Sequence, residues 1–238
     1  MKVILLAVFG AAMAFVEATV VVYLRKLYFP GNFIFPINVS AIPSQVIAIE
    51  WVREACTIVM LLAIAVIAGK KFQDKFAYFI YSFAVWDIFY YIWLRVLLGW
   101  PSSLMAWDIL FLIPVTWVSP VLAPVLVSCT MIVLAAVILK EKRKKIISSE
   151  WILLISSVVL FYVSFVWDYS LLLLKKGFLV RFTELAINPA SLSAVSDYTP
   201  TTYHWEIFIL AEILASLAIF SFCKRAKLKQ LVRRQRIS

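Results

Sequence analysis

Charge is scarce in this chain. Of its 238 residues only 15% are Asp, Glu, Lys or Arg, whereas 64% are apolar, and the mean hydropathy is +0.98. Soluble domains carry about 25% charged residues, and so few charges cannot cover the surface of a water-soluble globule of this size. A soluble enzyme and a disordered chain are therefore excluded. Cysteine is equally sparse: Cys56, Cys129 and Cys223 are odd in number and lie within or at the end of apolar runs. That excludes a disulfide framework and leaves them as small apolar residues. Histidine occurs once, at His204, which is too little for a bis-histidine haem site or the usual zinc ligand set. No Walker A, G-x-S-x-G, H-E-x-x-H or C-x-x-C pattern occurs. What remains is an integral membrane protein with several spans.

Six apolar segments approach the roughly 20 residues a membrane helix needs: 3–24, 50–69, 76–98, 119–139, 151–174 and 203–223. The stretch 104–139 is too long for one straight span. At 1.5 Å per residue it would run roughly 54 Å, against a hydrocarbon core of about 30 Å. Pro114, Pro120 and Pro124 lie inside it. The expectation is a broken, interfacial or re-entrant lead-in over 104–117 before the fourth span, with its freed backbone groups covered by protein or a wet cavity. The fold class is thus an all-α integral membrane protein with six transmembrane helices in a single polytopic domain, closed by a basic tail over 224–238.

The net charge of +10 follows the spans. Lys2, Lys70, Lys71, Lys75, the run from Lys140 to Lys145 and the tail from Lys224 to Arg236 fall on one face. Arg25, Lys26, Arg53, Arg95, Lys175, Lys176 and Arg181 fall on the other. The positive-inside rule places both termini in the cytoplasm of a plasma-membrane protein. Short basic runs between apolar segments are loops and a headgroup-binding tail, not a nucleic-acid surface. Lys2, the apolar run and Ala12-Met13-Ala14 resemble a signal peptide, but the run continues well past that point, as an anchor does.

Three segments align without gaps: Glu17 to Arg25, Asp87 to Arg95 and Asp168 to Lys176. Each odd span holds one acid with a basic residue eight positions later. The even spans begin with an acid beside tryptophan, at Glu50-Trp51, Trp107-Asp108 and Trp205-Glu206. The pattern predicts three helical-hairpin repeats. Mitochondrial carriers are also six-span and threefold, but their proline before the acid is absent; Val16, Trp86 and Trp167 stand there.

A carboxylate eight residues from the outer boundary lies roughly 12 Å below it. An ionised acid at the helix centre costs about 2.5–3.5 kcal/mol on insertion scales, so Glu17, Asp87 and Asp168 should face the bundle interior. Glu50, Glu54, Asp108 and Glu206 start the even helices on the same side. Arg53, Arg95, His204, Tyr90 and Tyr91 share that level, with Asp87 placed to reach Tyr90 and Tyr91, and Glu50 to reach Arg53. Plainer roles compete: Glu50, Asp108 and Glu206 would suit helix N-termini, Glu17, Asp87 and Asp168 would suit ion pairs with Arg53 or Arg95, and His204 would suit a surface helix start.

The expected function is a small secondary transporter or permease with an outward-facing, carboxylate-lined site for a cation, a proton or a cationic substrate. The alternatives are a membrane-embedded enzyme acting on a lipid-linked or amphipathic substrate, and a structural subunit of a larger membrane complex. No organic cofactor is expected, although carboxylate oxygens also suit a hard divalent cation. The partners are the lipid bilayer, a small ion or small-molecule ligand and candidate protein subunits, with no nucleic acid. The loops 26–49 and 177–202 are placed to cover the site, and Asn38-Val39-Ser40 in the first is a glycosylation sequon.

Overall fold

The computed structural model describes residues 1–29, 42–141, 144–175 and 198–235, with side chains in the last helix described to residue 225. The elements are α1 (Lys2–Tyr28), α2 (Ser44–Ala68), α3 (Phe72–Leu98), β1 (Trp107–Phe111), β2 (Trp117–Pro120), α4 (Leu122–Lys140), α5 (Ser148–Lys175) and α6 (Trp205–Gln235). All six helices contain a stretch long and apolar enough to cross a membrane. Large apolar side chains point outward along them, among them Val8, Val59 and Ile152, each more than 60% exposed. Such faces are stable only in lipid.

The least apolar of the six helices, α3, is also the most buried. It packs against α1, α2 and α4, while α5 packs on α6 and α4 touches α6. A helix carrying Ser82, Asp87, Tyr90 and Tyr91 is thereby shielded from lipid by its neighbours. The α1–α3 seam depends on small residues. Leu6, Gly10, Ala14, Ala18 and Val22 recur every four positions and are buried. A Cβ at Gly10 would lie 3.2 Å from the Ser82 carbonyl oxygen and 3.3 Å from the Trp86 nitrogen, so glycine lets the two backbones approach. The pairs α3–α4 and α5–α6 pack as antiparallel hairpins, whereas α1 lies against α3 and barely meets α2. The three hairpins are therefore not equivalent in their packing.

Several boundaries differ from expectation. Helix α2 begins at Ser44, six residues early, behind an extended Pro43; its first turn contains no acid, and Glu50 lies roughly 9 Å into the helix. Helix α3 begins at Phe72, because Phe72 and Phe76 pack on Trp151 of α5 with centroids 6.0 and 5.0 Å apart. Helix α6 begins at Trp205, and its backbone continues through the basic tail to Gln235, where lysine and arginine are good helix formers. Hydropathy marks the apolar thickness of a span rather than its hydrogen-bonded ends.

The broken segment is a two-stranded antiparallel hairpin. Asp108 pairs with Ser119 and Ile109 with Val118, and the register shifts between Ile109 and Phe111. Prolines forbid a helix here, and Trp107, Ile109, Phe111, Trp117 and Val118 suit a pleated surface. Trp117 stacks on Phe165 of α5 at 5.9 Å and meets Tyr162 edge-on at 5.3 Å. Asp108 accordingly lies in a strand and does not start a helix, which corrects the expectation drawn from its tryptophan neighbour.

At the end bearing the termini, Glu150 is 1% exposed in the first turn of α5. Its carboxylate accepts from Arg225 Nε at 2.8 Å and Nη2 at 2.6 Å, from the Ser221 hydroxyl at 3.1 Å and from the Ile147 N–H at 3.1 Å. Arg225 also donates to the Lys145 carbonyl at 3.0 Å. Ile80, Leu134, Ile138, Leu154 and Phe222 form an apolar cluster at this end of the bundle.

Candidate functional site

A cavity of about 250 Å³ opens at the opposite end, bounded by α1, α2, α3, the β-hairpin and α5. Its wall contains the acids Glu17, Glu50, Glu54, Asp87 and Asp108, the arginines Arg25 and Arg53, and the aromatics Trp51, Trp86, Tyr90, Tyr91 and Phe111. Helical spacing explains the contribution of α2: residues 50, 53, 54 and 57 recur at intervals of three and four and so share one face. Carboxylates outnumber guanidinium groups on this wall, and the contacts divide them unequally.

Arg53 holds two acids. It donates to Glu50 Oε2 from Nε at 2.8 Å and from Nη2 at 2.7 Å, and to Glu17 Oε1 from Nη1. The Thr57 hydroxyl donates to the other Glu17 oxygen at 3.2 Å. Helix α1 is thus tied to α2 by charge, where their apolar contact is slight. Arg25 faces Asp108 at 3.6 Å, and its guanidinium lies 4.0 Å from the centroid of the Trp100 ring. Burial pushes the Asp108 carboxyl up to about 6, an effect that Arg25 and the Ile109 N–H oppose. The Tyr91 hydroxyl is a further partner of Asp108.

The other two acids have neutral partners. Glu54 receives the Leu112 N–H at 3.0 and 2.9 Å on its two oxygens. That backbone group stands just beyond the last residue of β1, and the carboxylate satisfies what the ladder leaves over. Asp87 receives the Ser128 hydroxyl of α4 at 2.8 Å. Among the described residues no basic side chain forms an ion pair with it.

The remaining expected site residues stand apart from the wall. Asp168 accepts from the Tyr198 hydroxyl at 2.9 Å, and it is Tyr198 and Tyr169, packed edge-to-face at 5.4 Å, that reach the cavity. Burial and the neighbouring Asp168 carboxylate raise the Tyr198 hydroxyl well above its ordinary range. Arg95 is exposed and donates to the carbonyls of Gly99 and, at 2.9 Å, Pro101, capping the end of α3. His204 and Glu206 pair with each other at 2.7 Å on the surface, where Glu206 lies in the first turn of α6. The sequon Asn38-Val39-Ser40 and most of both candidate covering loops lie outside the described residues, as do Lys176 and Arg181.

Sequence reasoning missed several contributors. Arg25 stood in it as a charge of the outer face and Trp86 as no more than the residue before Asp87, whereas both reach the cavity. Ser128 carried no signal beyond being polar in an apolar run. Glu212 did carry one: it lies within an apolar stretch of α6, accepts from Thr130 at 2.8 Å and faces a groove between α4 and α6. Among the described residues no three His, Cys, Asp or Glu side chains gather as a metal-holding group. No protein-family model, curated protein or solved structure matches the chain.

Proposed function

We propose that this protein is a small secondary transporter or permease of the plasma membrane, with both termini cytoplasmic and an outward-facing cavity that binds a cationic solute. Asp87 is the counter-charge. The observation that carries this reading is its setting: a carboxylate on the cavity wall, at the middle of the central helix, with only a neutral hydroxyl donating to it among the described residues. An acid at such depth costs about 2.5–3.5 kcal/mol when ionised, and that cost is offset when a cation binds. Nearby arginines do not supply the charge, because Arg53 is engaged by Glu17 and Glu50 and Arg25 by Asp108. The aromatic wall favours the same ligand, since a cation over a Trp or Tyr face gains about 0.5–2 kcal/mol.

The test is thermal unfolding of the purified protein against ammonium, guanidinium and metal cations, with Asp87→Asn in parallel. A ligand at 100 times its Kd stabilises the folded state by about 2.7 kcal/mol. A cation-dependent rise in Tm that Asp87→Asn abolishes supports the site, and uptake into proteoliposomes then identifies transport. A response to every cation tried that is identical in the variant would refute it.

A further inference from the structure

The two oxygens of Asp87 are placed differently. Oδ2 accepts the Ser128 hydroxyl at 2.8 Å. Ser128 is 1% exposed and belongs to α4, which contributes no wall residue among those described, so Oδ2 is held behind the wall. Oδ1 receives no hydrogen bond among the described residues and, unlike Asp108 Oδ2, is not buried. Asp87 itself is half-buried and lines the cavity. The other acids of the wall are no more open. Arg53 and Thr57 take both oxygens of Glu17, and the Leu112 N–H takes both of Glu54. Glu50 gives Oε2 to Arg53, and Asp108 faces Arg25.

A planar guanidinium or amidinium binds a carboxylate through two parallel N–H···O bonds and needs both oxygens turned towards it. No acid on this wall presents such a pair. A hard divalent cation gathers several oxygens, and no three acids assemble for one among the described residues. An ammonium is a compact charge with rotatable donors, and one oxygen beside an aromatic face suits it. We infer that the solute is a compact organic ammonium rather than a guanidinium or amidinium, and that Ser128 sets this preference by holding Asp87 Oδ2 away from the cavity. This deepens the proposed function and rests on it. Ser128 is a positioning residue, and Asp87 Oδ1 is the atom that meets the ammonium. The organic remainder lies among Trp51, Tyr90 and Phe111. The volume of about 250 Å³ falls below the 300–1,000 Å³ of drug-sized sites, which keeps the solute compact.

The experiment is calorimetric titration of the full chain in lipid nanodiscs with benzylammonium, benzylguanidinium, benzyl alcohol and MgCl₂. The native protein is expected to bind benzylammonium about tenfold more tightly than benzylguanidinium, the worth of one hydrogen bond to a charged group. Neither the neutral alcohol nor Mg²⁺ is expected to compete. Ser128→Ala frees Oδ2, and benzylguanidinium is expected to gain about tenfold while benzylammonium changes little. Ser128→Thr, which keeps the hydroxyl, is expected to restore the native preference; a purely structural role would change stability without moving this ratio. Asp87→Asn is expected to abolish binding of both cations. Equal binding of the two cations by the native protein, or a guanidinium preference, overturns the inference and leaves the cation site standing, whether or not the variants fold. A preference unchanged in Ser128→Ala overturns the role of Ser128. Binding of Mg²⁺ alone overturns the ammonium assignment. Absence of binding by every probe counts against the inference and the proposed function together.

Discussion

The two ends of the bundle treat buried acids in opposite ways. At the end bearing the termini, Glu150 is answered by four donor atoms from Arg225, Ser221 and Ile147, under an apolar cluster. At the other end, five acids share two arginines around an open volume, and among the described residues Asp87 is in no ion pair and accepts from the neutral Ser128 hydroxyl. A satisfied buried pair fixes helices; breaking it by removing one partner costs several kcal/mol. An unsatisfied one lowers stability and leaves affinity for something else. Under the proposed function, one end supplies stability and the other recognition.

The comparison can be broken most severely at Arg225. Arg225→Ala leaves Glu150 buried without its cation, and a loss of about 3–5 kcal/mol is expected, read as lowered Tm or denaturant resistance in detergent, with ligand affinity retained. A loss under about 1 kcal/mol would show that the pair does not fix α5 to α6. Arg53→Ala comes next, at about 2–3 kcal/mol, because Glu17 and Glu50 lose their shared cation beside a cavity. In the double variant Arg53→Ala/Glu17→Gln part of that loss should return, giving a non-additive cycle; strict additivity would mean Arg53 does not couple α1 to α2.

Smaller effects sharpen the contrast. Glu54→Gln keeps one acceptor for the Leu112 N–H and loses the other, for an expected cost of about 1 kcal/mol, with increased proteolysis or hydrogen exchange confined to the hairpin. Exchange that rises in α2 and the hairpin together would place the contact in the global fold. Asp87→Asn should change stability least, by under about 1 kcal/mol, since Ser128 can still donate to the amide oxygen. Its effect belongs to binding. A large drop in Tm with no change in affinity would reverse the assignment of the two ends.

Much of this was legible in the chain. The six apolar segments, the basic bias of one face and the acids at Glu17, Asp87, Glu50 and Glu54 are local properties, and each acid named here lies on the cavity wall. The i,i+3 contact of Glu50 with Arg53 follows from helix geometry alone. Asp108 was harder. Short apolar runs between prolines do not distinguish strand from helix, so the hairpin and the place of Asp108 on it were out of reach. Asp168 shows the limit of repeat reasoning: its alignment with Asp87 is good, yet Tyr198 stands between it and the cavity.

Composition and periodicity determined that this is a six-helix membrane protein and that its acids could not face lipid, because charge in hydrocarbon is too costly to place anywhere but inside. Which acid met which partner was decided only in three dimensions. Arg25 with Asp108, Ser128 with Asp87 and Glu54 with the Leu112 N–H join residues far apart in the chain. Such pairings depend on helix rotation and on the close α1–α3 seam at Gly10.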